Sequence, residues 1–135
     1  MIYLDTSALV KLVHREAGSV ELVAWLAERP DQALVTSALA EVELVRALRR
    51  HAPDALAGVP GLLARLYVVE IDAPVRATAA AFEDPHLRSL DAIHLATARL
   101  AGSEADPVEA LVAYDERLLS GAGATGLPVA SPGAR

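Results

Sequence analysis

The chain is expected to fold as a three-layer α/β sandwich with a central, mainly parallel sheet of four to five strands flanked by helices. Three observations point there. Short apolar runs alternate with longer stretches of helical periodicity. Both kinds recur within 135 residues, the length of one domain covering residues 1–135. Hydrophobic residues make up 53% of the chain against 22% charged, enough to bury a sheet on both faces.

Taken in order, the run Ile2-Tyr3-Leu4 reads as a strand, and the apolar spacing after Asp5 predicts a helix over 6–14. Gly18-Ser19 opens a second helix over 20–28. A strand at 33–36 leads into a helix over 38–50, and a shorter helix at 61–66 precedes a strand at 67–71 rich in Val and Tyr. Asp72 and Pro74 are the cap and first-turn residues of a helix over 74–82. Ser89 precedes a helix over 90–100; residues 102–107 form a polar loop; and a strand at 111–113 is followed by a short helix at 116–119. A weak fifth strand is placed at 128–130, within a Gly-, Ala- and Pro-rich tail from 121 to 135 that is expected to fray after the last strand. There is no repeat and no sign of a second domain.

Composition excludes several chemistries. With no cysteine there is no disulfide scaffold, no Cys-ligated metal site and no thiol nucleophile, which leaves oxygen and imidazole groups. The N-terminus carries no basic segment before an apolar stretch, so a cytoplasmic protein with no membrane partner is expected. The net charge of −6 argues against nucleic acid as a partner unless the acids are gathered in one place. Four carboxylates at one metal site would account for most of that excess. Arginine outnumbers lysine 11 to 1, which favours bidentate contacts to carboxylate or phosphate.

Such a set can be picked out. Asp5 follows the first strand and Asp115 the fourth, so both belong at the carboxyl edge of a parallel sheet, where open α/β sheets bind ligands. Each is also a natural helix cap. Asp91 falls in the first turn of an apolar helix, with His94 at i+3 on the same face, where a satisfied core histidine is the plainer reading. Glu43 stands in a mostly apolar helix on one sector with Arg46 and Arg50, either paired to Arg46 or held for a metal. Gathered carboxylates repel each other unless a cation neutralises them. Mg²⁺, or Mn²⁺ in its place, takes oxygen ligands and serves phosphodiester hydrolysis; zinc suits this donor set less well.

The four segments that carry these acids are Ile2-Tyr3-Leu4-Asp5-Thr6-Ser7-Ala8-Leu9-Val10-Lys11-Leu12, Ser37-Ala38-Leu39-Ala40-Glu41-Val42-Glu43-Leu44-Val45-Arg46, Ser89-Leu90-Asp91-Ala92-Ile93-His94-Leu95-Ala96-Thr97-Ala98 and Tyr114-Asp115-Glu116-Arg117-Leu118. In this order and spacing the chain resembles PIN-domain proteins, and more closely the VapC-type toxin ribonucleases of type II toxin-antitoxin systems. The resemblance covers nearly the whole chain. It implies a metal-dependent endoribonuclease with an acidic quartet at Asp5, Glu43, Asp91 and Asp115; the spacing from Ser37 to Glu43 to Arg46 selects Glu43 over Glu41. Asp5, Glu43 and Asp91 would hold the metal, directly or through water, and Asp115 would complete or support the site. Thr6 and Ser7 would add hydroxyl contacts, or cap the helix, and Arg46 would meet RNA phosphate or an antitoxin peptide. Ala113 departs from the family's usual Thr or Ser. Also implied are a homodimer and a cognate VapB-like antitoxin. A non-catalytic interaction module and a DNA nuclease of related fold are the competing expectations. An aspartyl-phosphate enzyme is disfavoured, since Ser7 stands where its second Asp would be.

Overall fold

All three residues of β1 (Ile2–Leu4) are fully buried, the mark of a central parallel strand covered on both faces. The computed structural model describes residues 1–134; Arg135, the last residue of the expected tail, lies outside them. After β1 come α1 (Thr6–Val13), α2 (Ser19–Ala27), β2 (Leu34–Ser37) and α3 (Leu39–His51). A 3₁₀ segment, Pro53–Gly58, leads to α4 (Val59–Leu63) and β3 (Tyr67–Val69). The chain continues through α5 (Ala73–Ala81), α6 (Ser89–Ala101), β4 (Ala110–Val112), α7 (Glu116–Ala124) and β5 (Val129–Ala130). Every expected element is present, with ends displaced by a few residues, and the 3₁₀ segment is additional.

The five strands run in the order β3-β2-β1-β4-β5 and every pairing is parallel. The expected three-layer sandwich is thus the observed one. Alternate residues of each strand enter opposite cores. Ile2 and Leu4 join Leu9, Leu22, Leu44, Leu48 and Leu62, which places α1 to α4 on one face. Tyr3 and Leu111 join Leu95, Ala98, Leu118 and Ala122 from α6 and α7 on the other. Because strand order reverses on either side of β1, the carboxyl ends of β1 and β4 open side by side, as a ligand site at a topological switch point requires.

The tail departs from expectation. Instead of ending at residue 119, α7 continues through Gly121, Ala122 and Gly123. Ala122 is fully buried, and a Cβ added to Gly121 would stand 2.9 Å from Leu87 Cδ1, so the glycine lets the α6 approach loop lie close to α7. β5 then pairs with β4, and the Ser131 hydroxyl donates to the Ala113 carbonyl at 2.6 Å.

Candidate active site

Each acid of the quartet is placed by the local chemistry of its element. Asp5 is the N-cap of α1: its Oδ2 accepts from the Ser7 backbone N–H at 3.2 Å and from the Ser7 hydroxyl at 2.6 Å. The same hydroxyl accepts from the Tyr114 N–H at 3.0 Å, so Ser7 ties the β1–α1 turn to the turn carrying Asp115. Asp115 is the N-cap of α7, its Oδ1 accepting from the N–H groups of Arg117 and Leu118 at 2.9 and 3.1 Å. Asp91 occupies the first turn of α6 and accepts from the Arg88 N–H at 3.3 Å through Oδ2. The helix begins at Ser89 itself, so Arg88 and not Ser89 holds the cap position.

Glu43 reaches in from α3 on the opposite layer. Its Oε1 accepts from the Thr6 hydroxyl at 2.8 Å and from His94 Nε2 at 2.6 Å. Arg46, the candidate partner one turn on, is exposed and makes no ion pair with Glu43. Local spacing offered an exposed pair worth a few tenths of a kcal/mol, whereas the fold offers a partly buried charge-assisted bond.

His94 is therefore part of the site and not a bystander of the core. Its side chain is 3% exposed; Nδ1 lies 2.7 Å from the Tyr3 hydroxyl, and Nε2 stands 3.3 Å from Asp5 Oδ1 as well as on Glu43. A carboxylate only accepts, so Nε2 carries a proton. Two signals in the sequence could have found this pair: a single histidine three residues after Asp91 in an otherwise apolar stretch, and a tyrosine in an aliphatic strand, whose buried hydroxyl needs a partner.

The charges are mutually coupled. Burial alone would lower His94, but the hydrogen bond to Glu43 and the charges of Asp5, Glu43 and Asp91 hold its pKa above the ordinary 6.5. Glu43 would be raised by burial, yet the His94 bond and charge and the Thr6 hydroxyl keep it below 4.5. Asp91 is raised above 3.8, first by burial and then by the like charges of Asp115 and Asp5, which the Arg88 N–H and His94 only partly oppose. That repulsion is the electrostatic sign that Asp5, Asp91 and Asp115 face one region.

These shifts set a pH dependence for the chain in EDTA. A raised histidine contributes stability that is complete below 6.5 and is lost as pH rises through the folded value; a lowered glutamate contributes stability present above 4.5 and lost as pH falls through its folded value. The raised Asp91 disfavours the fold once it ionises. Thermal melts in EDTA should therefore peak between pH 4.5 and 6.5 and decline toward alkaline pH. A melting temperature flat from this interval to high pH contradicts the coupling.

The carboxylates share one further property. Glu43, Asp91 and Asp115 each have one oxygen bonded within the chain and, among the described residues, the other oxygen without a hydrogen bond. Asp5 has Oδ2 held by Ser7 and Oδ1 turned to His94. Among the described residues no three acids or histidines are gathered tightly enough to enclose an ion as a structural zinc site does. An open mouth of oriented, partly free carboxylate oxygens fits Mg²⁺ or Mn²⁺, because Mg²⁺ takes one or two carboxylates, keeps waters and draws its remaining ligands from substrate phosphates.

Alongside the acids, Leu39, Val42, Glu43, Arg46, Arg50 and Leu90 line a cleft between α3 and the start of α6. Its rim is exposed and apolar at Val42 (58%) and Leu90 (50%), and cationic at Arg46 and Arg50.

The PIN domain family model matches residues 2–123. Over 133 residues, 98% of each chain, the sequence is 57% identical to ribonuclease VapC35 of Mycobacterium tuberculosis. The crystal structure of Mycobacterium tuberculosis VapC20, a Sarcin-Ricin loop cleaving toxin, superposes with a TM-score of 0.74 at 21% identity, covering 98% of this chain and all of that one. VapBC2 from Rickettsia felis, solved bound to a DNA fragment from its promoter, gives a TM-score of 0.68 at 13% identity over 98% of this chain and 99% of that one. The sheet order, the family-model match over residues 2–123 and the near full-length identity converge: the chain belongs to the PIN-domain family, in its VapC branch.

Proposed function

We propose that the chain is a metal-dependent endoribonuclease and the toxin of a toxin-antitoxin pair, hydrolysing RNA phosphodiester bonds at Asp5, Glu43, Asp91 and Asp115. The observation that carries this reading is that Asp5 and Asp115 cap helices at the adjoining carboxyl ends of β1 and β4, that both charges bear on Asp91, and that Glu43 shares His94 with Asp5. The 57% identity to a ribonuclease over 98% of both chains supports the choice of RNA.

Asp5, Glu43 and Asp91 would hold Mg²⁺ or Mn²⁺, directly or through water, and Asp115 would complete or support the set. When bound, the ion supplies positive charge against the charge that develops on the phosphate during in-line displacement and favours an ionised nucleophile. The chain's own part is orientation. Ser7 fixes Asp5 and joins its turn to that of Asp115, and Thr6 and His94 fix Glu43. Arg46 and Arg50, on the cleft beside Glu43, are placed to meet phosphates, and the apolar rim of Val42 and Leu90 suits a peptide segment of a VapB-like antitoxin in the same cleft. A VapBC complex among the structural neighbours supports that partner. Exposed Val20 (58%) and Val23 (54%) on α2 support a homodimer face, and a toxin acting on cellular RNA would work in the cytoplasm. Among the described residues no helix is long and apolar enough to cross a membrane.

The test is cleavage of a panel of structured RNAs, tRNAs and rRNA fragments included, in Mg²⁺, Mn²⁺ or EDTA, by the wild-type chain and identically prepared Asp5→Asn. Cutting that needs metal and vanishes in the variant is the expected result. Silence on RNA with cutting of DNA would make it a DNA nuclease, and silence on both a binding module.

A further inference from the structure

Outside the quartet, one buried group bridges the two helical layers beside the site. His94 leaves α6, in the layer that packs on Tyr3, and bonds Glu43 on α3, in the other layer. The Tyr3 hydroxyl both donates and accepts, so it satisfies Nδ1 in either protonation state and fixes the plane of the ring, which meets the Tyr3 ring edge-on at 73°. Glutamate has three side-chain torsions, and an unrestrained carboxylate loses their freedom only when it binds an ion. Here Oε1 already holds two donors at 2.8 and 2.6 Å, so the torsions are set beforehand and Oε2 is the oxygen left to a ligand. The arrangement is that of the outer hydrogen-bonding partners that orient metal ligands.

We infer that His94, oriented by Tyr3, is a positioning residue that presets Glu43 for a divalent cation. The inference rests on the metal-dependent reading above. It assigns a role to two residues that touch neither the ion nor the substrate, and it separates them from ordinary core residues, since their effect is exerted through Glu43 and shows in cation affinity.

The experiment measures Mn²⁺ binding by titration calorimetry and by the electron paramagnetic resonance signal of free Mn²⁺, with the full chain as wild type, His94→Leu, His94→Gln and Tyr3→Phe. Leucine fills the volume without a donor; glutamine restores an N–H near the position of Nε2. His94→Leu should bind Mn²⁺ about 10- to 100-fold more weakly. His94→Gln should recover most of that loss. Tyr3→Phe, which keeps the imidazole and removes its anchor, should lose about fivefold, the equivalent of one ordinary hydrogen bond. In RNA cleavage the Mn²⁺ concentration for half-maximal rate should rise in parallel, with KM for RNA unchanged. Folded His94→Leu that binds Mn²⁺ as wild type does overturns the inference, and so does tighter binding, which would make the imidazole a competitor of the cation. If His94→Leu does not fold, Tyr3→Phe decides: weakened binding supports the inference and unchanged binding overturns it. A wild-type chain that takes up no Mn²⁺ would instead remove the metal reading and the inference with it, an outcome distinct from all the others.

Discussion

Asp5→Asn is expected to lower metal-dependent RNA cleavage by a factor on the order of 10²–10³ or more while leaving the melting temperature in EDTA almost where it was. The two halves of that expectation rest on different atoms of one side chain. As a cap, Asp5 uses Oδ2 to accept from the Ser7 N–H and hydroxyl, and an asparagine carbonyl oxygen accepts the same two bonds. As the proposed ligand it would contribute charge, which asparagine lacks. Asp91→Asn should cost as much activity, yet its effect on the metal-free fold has a different sign. Asp91 feels the like charges of Asp115 and Asp5, so neutralising it relieves repulsion and should raise the EDTA melting temperature. Asp5 lies 3.3 Å from His94 Nε2, so neutralising it also removes a favourable partner and no such gain follows. Cleavage assays beside melts of both variants check the pair. Strong destabilisation by Asp5→Asn in EDTA would mean that the Asp5 charge, facing His94, serves the fold itself.

How far the sequence reveals this arrangement depends on the range of each interaction. β1 is legible because Ile2, Tyr3 and Leu4 are all apolar, which only a strand covered on both faces requires. Asp5, Asp72 and Asp115 are legible as caps because capping is local, and each does accept from the first turn it opens. Capping and site membership are not alternatives here: a cap occupies one carboxylate oxygen and leaves the other. What is illegible is anything decided across the sheet. Ser7 meets Tyr114 and Glu43 meets His94 only because β4 pairs with β1 and α3 and α6 converge on the same edge, so helical spacing names Arg46 as Glu43's neighbour when its partner is 51 residues away. The tail shows the same limit from the other side. Glycines at 121 and 123 weaken a helix by up to about 1 kcal/mol each on propensity, yet burial of Ala122 and the approach of Leu87 to Gly121 carry α7 through them.

The largest stability effect is expected from Leu95→Ala. Leu95 is fully buried and packs in the cluster that holds Tyr3, Val35 and Leu111, so it seats α6 on the sheet, and α6 carries both Asp91 and His94. Removing three buried carbons there should cost about 3–4 kcal/mol, lowering the midpoint of urea unfolding with its slope unchanged and the melting temperature by roughly 10 °C. Leu90→Ala on the same helix, at a side chain 50% exposed, should change stability by no more than about 0.5 kcal/mol. The contrast tests the packing; adding metal tests its link to the site. An ion that binds only the folded chain stabilises it by about 2.7 kcal/mol at a hundred times its dissociation constant. Wild type and Leu95→Ala should gain that same increment from Mn²⁺ if the deletion leaves the first turn of α6 in place, and Asp5→Asn should gain little of it. If Leu95→Ala also loses the increment while remaining folded, then α6 has shifted as a body, and the core packing under Tyr3 and the register of the acidic site are one property of the fold.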